Sequence, residues 1–317
     1  MSDNPLDDLT AVIESIPHWP AADRLALVQK FMDGLPAGQG GDKFADIYAW
    51  LSLVQGNEAL KTEEIHLSLL ASTYRHGPKP EIVRSWSDAL SKGRAPLNRL
   101  CIRDGLGMRI LDMAIDMPDR VGDLARLENP AGLMANVAFG MEATASGGSF
   151  IGVSDLAPGS RQSALAILCA LQNQSPVDIS SFLMPGESGA IEEMMSIMPS
   201  GKNGPLDWLA LLGGREIAAL AGAILAASSQ NLPVLLEGWS ALAAATVLVQ
   251  LAPDGNAQNI LGHCMVASTA TAIETSFWHA IDLEPLLQNI GEMPSGTGLV
   301  LASGVVRQME ALAGGMN

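Results

Sequence analysis

Hydrophobic and polar positions change rhythm twice along the chain. Between residues 5 and 56 the apolar positions recur with a helical period, and stretches at 6–16, 21–32 and 44–55 predict helices separated by Pro and Gly breakers, including a Gly/Pro loop at 34–41. In the last stretch Phe44, Ile47, Tyr48, Leu51 and Val54 share one face. Three short helices predict a small helical unit over residues 1–60.

From about residue 64 short apolar runs alternate with amphipathic helices. Runs at 65–71, 109–115, 149–153, 179–184 and 232–236 have strand length and are bounded by Gly, Pro, Asp or Ser. Helical patterns fill 81–90, 131–145, 161–172, 207–212 with 216–228, and 240–251. Strand and helix in turn predict right-handed βαβ units, and so an α/β fold with a parallel sheet flanked by helices over 61–270. Ligands on such sheets bind beyond the carboxyl ends of the strands. Residues 271–317 return to helix, interrupted by a loop at 291–298.

Length and composition agree with this layout. At 317 residues the chain has room for one large core, which stops growing at roughly 250–300 residues, plus a small appendage. It is 48% hydrophobic but only 4% aromatic, which suits closely packed helices on a sheet better than a β-sandwich.

The formal charge of −16 argues against nucleic acid or anionic lipid as a partner, because both need clustered Lys and Arg. The three cysteines, Cys101, Cys169 and Cys264, lie in apolar stretches without metal or redox spacing, and predict buried side chains in a reducing compartment. A polar, acidic start and no uninterrupted apolar run of roughly 20 residues predict a cytoplasmic protein with no signal peptide and no membrane span. Among the histidines, His18, His66, His263 and His279 show no metal spacing and receive no role. No P-loop, GxGxxG or nucleophile motif is present, and no cofactor or metal is expected.

Three segments carry a family resemblance. The first runs Gly213-Gly214-Arg215-Glu216-Ile217-Ala218-Ala219-Leu220-Ala221-Gly222 and continues through Pro233-Val234-Leu235-Leu236-Glu237-Gly238-Trp239. The second is the stretch 46–56 (DIYAWLSLVQG), and the third is Leu283-Glu284-Pro285-Leu286-Leu287 followed by Gly296-Thr297-Gly298. In this order the chain resembles the nicotinate-nucleotide:dimethylbenzimidazole phosphoribosyltransferases over most of its length. The resemblance implies a parallel six-stranded sheet, Rossmann-like, with a small helical domain built from both termini, 1–60 and 271–317. It also implies a homodimer with active sites near the subunit contact. The implied reaction moves ribose phosphate from nicotinate mononucleotide to a benzimidazole-type base, giving α-ribazole phosphate for the lower ligand of cobalamin.

Where the family does its chemistry, this chain departs from it. Removal of the azole proton needs a base, and the family carries a Glu directly before Gly-Thr-Gly; here that position is Ser295, whose hydroxyl cannot take up a proton near pH 7. Beside Pro294 and Gly296, Ser295 also suits a plain turn. The family's Gly-Glu-Met-Gly-Ile-Gly-Asn-Thr-Thr becomes Ser154-Asp155-Leu156-Ala157-Pro158-Gly159-Ser160-Arg161-Gln162, which keeps an acid and Gly159 and gains Arg161. Gly159, Ser160 and Arg161, with Gly296, Thr297 and Gly298, are candidate phosphate-binding positions; Ser160 could equally be a helix cap.

Near the first core strand the family's Asp-His-Gly reads Arg75-His76-Gly77, so His76 and Gly77 remain as candidates for the base pocket. Glu237 stands where the family has Asp, and could line the pocket or favour the start of the next helix. Asp155, Glu237 and Glu292 are the carboxylates that could replace the missing base. Three readings stay open: a working transferase, a non-catalytic subunit paired with an active homologue, and a nucleotide- or base-binding regulatory protein.

Overall fold

The computed structural model describes residues 5–17, 19–35, 41–56, 60–252 and 260–314. His18 and most of the 34–41 loop lie outside the described residues. Three helices come first: α1 (Pro5–Glu14), α2 (Ala21–Gly34) and α3 (Asp42–Gln55). Then β1 (Ile65–Ala71) leads through α4 (Pro80–Ser91) and α5 (Pro96–Asp104) to β2 (Gly107–Asp112). The short α6 (Ala125–Glu128) and α7 (Pro130–Gly140) precede β3 (Phe150–Leu156).

Four helices follow β3: α8 (Ser160–Leu171), α9 (Glu187–Ser196), α10 (Pro205–Leu212) and α11 (Arg215–Ser229). The chain closes through β4 (Val234–Glu237), α12 (Trp239–Leu251), β5 (Cys264–Ser268), α13 (Ala272–His279), β6 (Pro285–Leu287) and α14 (Thr297–Gly314).

The six strands form one parallel sheet in the order β2-β1-β3-β4-β5-β6. The strand order reverses between β1 and β3, which is where an open α/β sheet leaves a crevice at its carboxyl edge. Central strands are sealed on both faces, so β4 is buried at all four positions and the first five residues of β3 are buried. Helix α11 is buried without a break from Glu216 to Ser228, because its small Ala and Gly residues let α7 and α12 close on it from different sides. Edge strand β6 opens on Pro285, at a border where a missing N–H breaks no ladder.

The α/β expectation is met, with corrections to individual elements. The run at 179–184, expected as a strand, is instead a single 3₁₀ turn at Ser180–Phe182. Phe182 and Met184 are exposed there and no sheet edge receives them, so the apolar run lacks the burial a strand needs. The run at 109–115 pairs with β1 earlier than expected, from Gly107 to Asp112. Residues 264–268 and 285–287, unread as strands in the sequence, complete the sheet. The three cysteines are buried and free. Buried His263 accordingly sits well below its usual pKa, at about 4, and its Nε2 bonds the Ile224 carbonyl at 2.9 Å, a structural role.

Candidate active site

At the carboxyl edge of β3, β4 and β5 a cavity of about 150 Å³ is lined by Asp155, Arg161, Glu237, Glu274, Glu292 and Ser295, among others. Each comes from a different local device. Asp155 is the penultimate residue of β3, and its Oδ2 accepts the Ser160 hydroxyl at 2.9 Å. Ser160 therefore does not cap α8: Gly159 stands at the N-cap, left-handed at φ 104°, with no side-chain cap bond. Burial lifts the Asp155 carboxyl to about 6, a rise restrained by the Ser160 hydrogen bond.

Glu237 ends β4 and crosses to the start of α14, where its Oε1 accepts the Gly298 N–H at 3.0 Å. The approach is so close that a Cβ on Gly298 would lie 1.9 Å from the Ser268 hydroxyl and 3.0 Å from the Glu237 Oε1. Only glycine fits. The Glu237 Oε2, by contrast, is buried without a hydrogen-bond partner. Desolvation raises this carboxyl to about 7, against the pull of the Gly298, Leu299 and Gly296 N–H groups.

Glu274 serves α13. Thr271 is the N-cap, accepting the Glu274 N–H, while the Glu274 Oε2 accepts the Ala270 N–H at 2.8 Å. Burial places its carboxyl at about 7 as well. Glu292 is exposed and answers Arg161 at 3.5 Å.

Arg161 is the cation of this cavity. Its Nε stands 3.1 Å from buried Glu187 on α9, and its guanidinium lies 5.4 Å from the centre of the Trp239 ring. The sequence suggests a guanidinium free for phosphate, yet Arg161 already has two carboxylate neighbours, so an incoming phosphate has to displace at least the exposed one, Glu292. The Gly-Thr-Gly segment is likewise engaged, because the Gly298 N–H is given to Glu237.

His76 and Gly77 sit on the far side of the 155–159 loop. The His76 Nε2–H donates to the Gly159 carbonyl at 3.0 Å, and a Cβ on Gly77 would press to 2.5 Å on the Pro158 carbonyl. Both residues shape the loop, and His76 lines a separate, open cavity. Ser295, expected as a lone hydroxyl facing the reacting azole, shares its cavity with four carboxylates.

Sequence reasoning passed over a further buried acid. Glu216, wholly inaccessible at the start of α11, accepts the hydroxyls of Ser72 and Tyr74, one on each oxygen. Desolvation, with Asp155 and Asp119 nearby, pushes it up to about 8. Gly214 lets Tyr74 reach it, since a Cβ there would meet the Tyr74 hydroxyl at 2.0 Å. Next to it Arg215 clamps the loop after β2 by donating to the carbonyls of Met113, Ala114 and Met117. A lone acid in an otherwise apolar helix was the available signal for Glu216, and the Thr-x-x-Glu spacing at 271–274 the one for Glu274.

The cavity thus offers proton acceptors poised near neutrality and one cation, beside the start of α8. No group of three or more His, Cys, Asp or Glu among the described residues could hold a metal ion, and no helix there is long and apolar enough to cross a membrane. A family model described as phosphoribosyltransferase matches residues 39–317. The nicotinate-nucleotide–dimethylbenzimidazole phosphoribosyltransferase of Brucella anthropi is 29% identical, over 98% of this chain and 95% of its own length. That of Brucella melitensis biotype 2 is also 29% identical with the same coverage. Among solved structures, CobT from Thermus thermophilus matches with a TM-score of 0.76 at 21% identity, covering 92% of this chain and 96% of that one, a likeness of fold.

Proposed function

The chain belongs to the nicotinate-nucleotide:dimethylbenzimidazole phosphoribosyltransferase family, and from that premise we propose that it is a working transferase in which Glu237 takes the proton. The reaction moves ribose phosphate from nicotinate mononucleotide to a benzimidazole-type base, the step that supplies a cobalamin lower ligand.

In this reading an azole nitrogen lone pair attacks the ribose anomeric carbon. The bond from that carbon to the pyridinium nitrogen breaks, nicotinate leaves with the electron pair, and the proton on the other azole nitrogen passes to a carboxylate. The observation that carries the assignment is the divided state of Glu237: one oxygen anchored on Gly298, the other buried and unpartnered, with the carboxyl at about 7. A general base works best when its pKa lies near the operating pH. Among the other candidates Asp155 accepts the Ser160 hydroxyl and Glu292 faces Arg161, while Glu274, at a similar pKa, gives one oxygen to the start of α13 and is not tied to the loop that holds Ser295. Relative to the family pattern the chain has lost a carboxylate at 295 and gained a methylene at 237, and the longer side chain ends on the same loop that holds Ser295.

Arg161, on this account, meets the donor's phosphate after Glu292 lets go. The experiment is turnover of nicotinate mononucleotide by the purified protein with a panel of benzimidazole bases, reading nicotinate release and α-ribazole phosphate. Product formation supports the reading; no turnover with any base removes it and leaves the partner-subunit or regulatory readings. The protein is expected to work as a homodimer in the cytoplasm.

A further inference from the structure

Across the 155–159 loop from the carboxylate cavity lies an open cavity of about 500 Å³ lined by Arg75, His76, Asp119, Arg120, Val121, Gly122 and Asp123. We propose that it is a binding site for a phosphate monoester group, held by Arg75 and Arg120.

The register of the chain makes the case. Tyr74 and Asp119 form an isolated parallel bridge, so the next residues along, Arg75 and Arg120, stand side by side. The frame beneath them is tied down: the Asp119 N–H donates to the Thr73 carbonyl at 2.7 Å, the Arg75 N–H to the Asp119 carbonyl at 3.2 Å, and the Gly122 N–H to the Leu211 carbonyl at 2.8 Å. Like charges on neighbouring strand positions repel and destabilise the pairing unless something of opposite charge comes between them.

No carboxylate among the described residues does so. The Asp119 carboxylate is turned to Arg215, accepting its backbone N–H at 3.0 Å and facing its Nε at 3.5 Å, and the Asp123 carboxylate accepts the Ala125 N–H. Neither Arg75 nor Arg120 makes an ion pair among the described residues, whereas Arg84, Arg103, Arg161 and Arg215 all do. Arg94 and Arg99 likewise make no ion pair among the described residues; what sets Arg75 and Arg120 apart is that they line one cavity together.

His76 borders the pair without joining it: its Nε2–H is spent on the Gly159 carbonyl, and the other ring nitrogen of that tautomer carries a lone pair and has no N–H for an anion. Two guanidiniums match a tetrahedral dianion, which guanidinium recognises through paired N–H donors.

The phosphate could belong to the transferase substrate or to a separate phosphorylated metabolite, and the experiment separates these sources. Inorganic phosphate and ribose 5-phosphate are titrated calorimetrically into the wild-type protein, into Arg75→Ala/Arg120→Ala, and into Arg161→Ala. The proposal expects saturable binding that weakens at least about tenfold in the double variant and persists in Arg161→Ala. Both replaced side chains are exposed, so unchanged melting of the double variant is expected to confirm intact folding.

Nicotinate mononucleotide titrated into phosphate-saturated protein then identifies the source. Competition assigns the site to the substrate's own phosphate, and undisturbed binding assigns it to a second ligand. Wild-type phosphate affinity in the double variant, or loss confined to Arg161→Ala, would overturn the proposal. Because every readout is binding, the result stands apart from whether the protein turns over.

Discussion

Two buried carboxylates at the same edge of one sheet have opposite fates. Glu216, under the end of β1, has a hydroxyl on each oxygen, from Ser72 and from Tyr74. Glu237, at the end of β4, accepts the Gly298 N–H on one oxygen, with the N–H groups of Gly296 and Leu299 close by, and has no hydrogen bond on the other oxygen. Desolvation raises both, to about 8 and about 7. The elevated pKa therefore does not tell brace from base; the number of filled lone pairs does. An acid with a donor already on each oxygen gains less from an incoming proton donor, while one with a bare buried oxygen still has an unsatisfied acceptor to offer.

The largest effect that separates the two concerns turnover. Glu237→Gln is expected to lower kcat by about a hundred- to ten-thousand-fold, with nicotinate mononucleotide affinity kept, and Ser295→Glu added to it to recover part of that loss. Steady-state kinetics with calorimetric binding measure this, and near-wild-type kcat in Glu237→Gln would erase the distinction.

Next in size are the packing changes at the two glycines that admit the two acids. Gly214→Ala, with its Cβ 2.0 Å from the Tyr74 hydroxyl, is expected to cost about 1–3 kcal/mol of stability in chemical denaturation while sparing kcat of the folded fraction. Gly298→Ala, at 1.9 Å from Ser268, is expected to lose both, because the Glu237 anchor moves with it. Tyr74→Phe follows, leaving one Glu216 oxygen without its hydroxyl for about 1–3 kcal/mol, with kcat within a few-fold of wild type.

The smallest effect is a slope. Asp155, Glu216, Glu237 and Glu274 all have folded pKa values raised above their ordinary 3.8 or 4.5, to between about 6 and about 8. The folded state thus holds protons that the unfolded chain releases. The stability these groups contribute is complete below about pH 4 and is lost as pH rises through 6 to 8. Glu216→Gln removes the uppermost part of that fall, a change on the order of 1 kcal/mol between pH 7 and 9, visible as a flatter melting temperature against pH.

The sequence made the scaffold readable where burial and period coincide. The run at 65–71 is β1 to the residue, because seven largely apolar residues between polar neighbours have one way to be buried on two faces. It misled at 179–184, where an apolar run stays exposed, and it hid β5, whose Cys264, Met265, Ala267 and Ser268 carry little strand preference.

At the site, chain position located Asp155, Glu237, Arg161 and Ser295, since strand ends and loops converge on one edge. Which atoms are occupied was not readable. That Gly298 consumes one Glu237 oxygen, or that Glu187 and Glu292 share Arg161, depends on contacts between residues far apart in the chain, and no spacing encodes it.

The most direct measurement is kcat against pH from 5 to 9 for the wild type beside Glu237→Gln. An acid limb alone is ambiguous, because Glu274 is also poised at about 7. The account predicts that the wild-type rate rises through a midpoint near 7, as Glu237 ionises, and that the variant is slow and flat across the range. A variant that keeps the wild-type limb at the wild-type rate would contradict it.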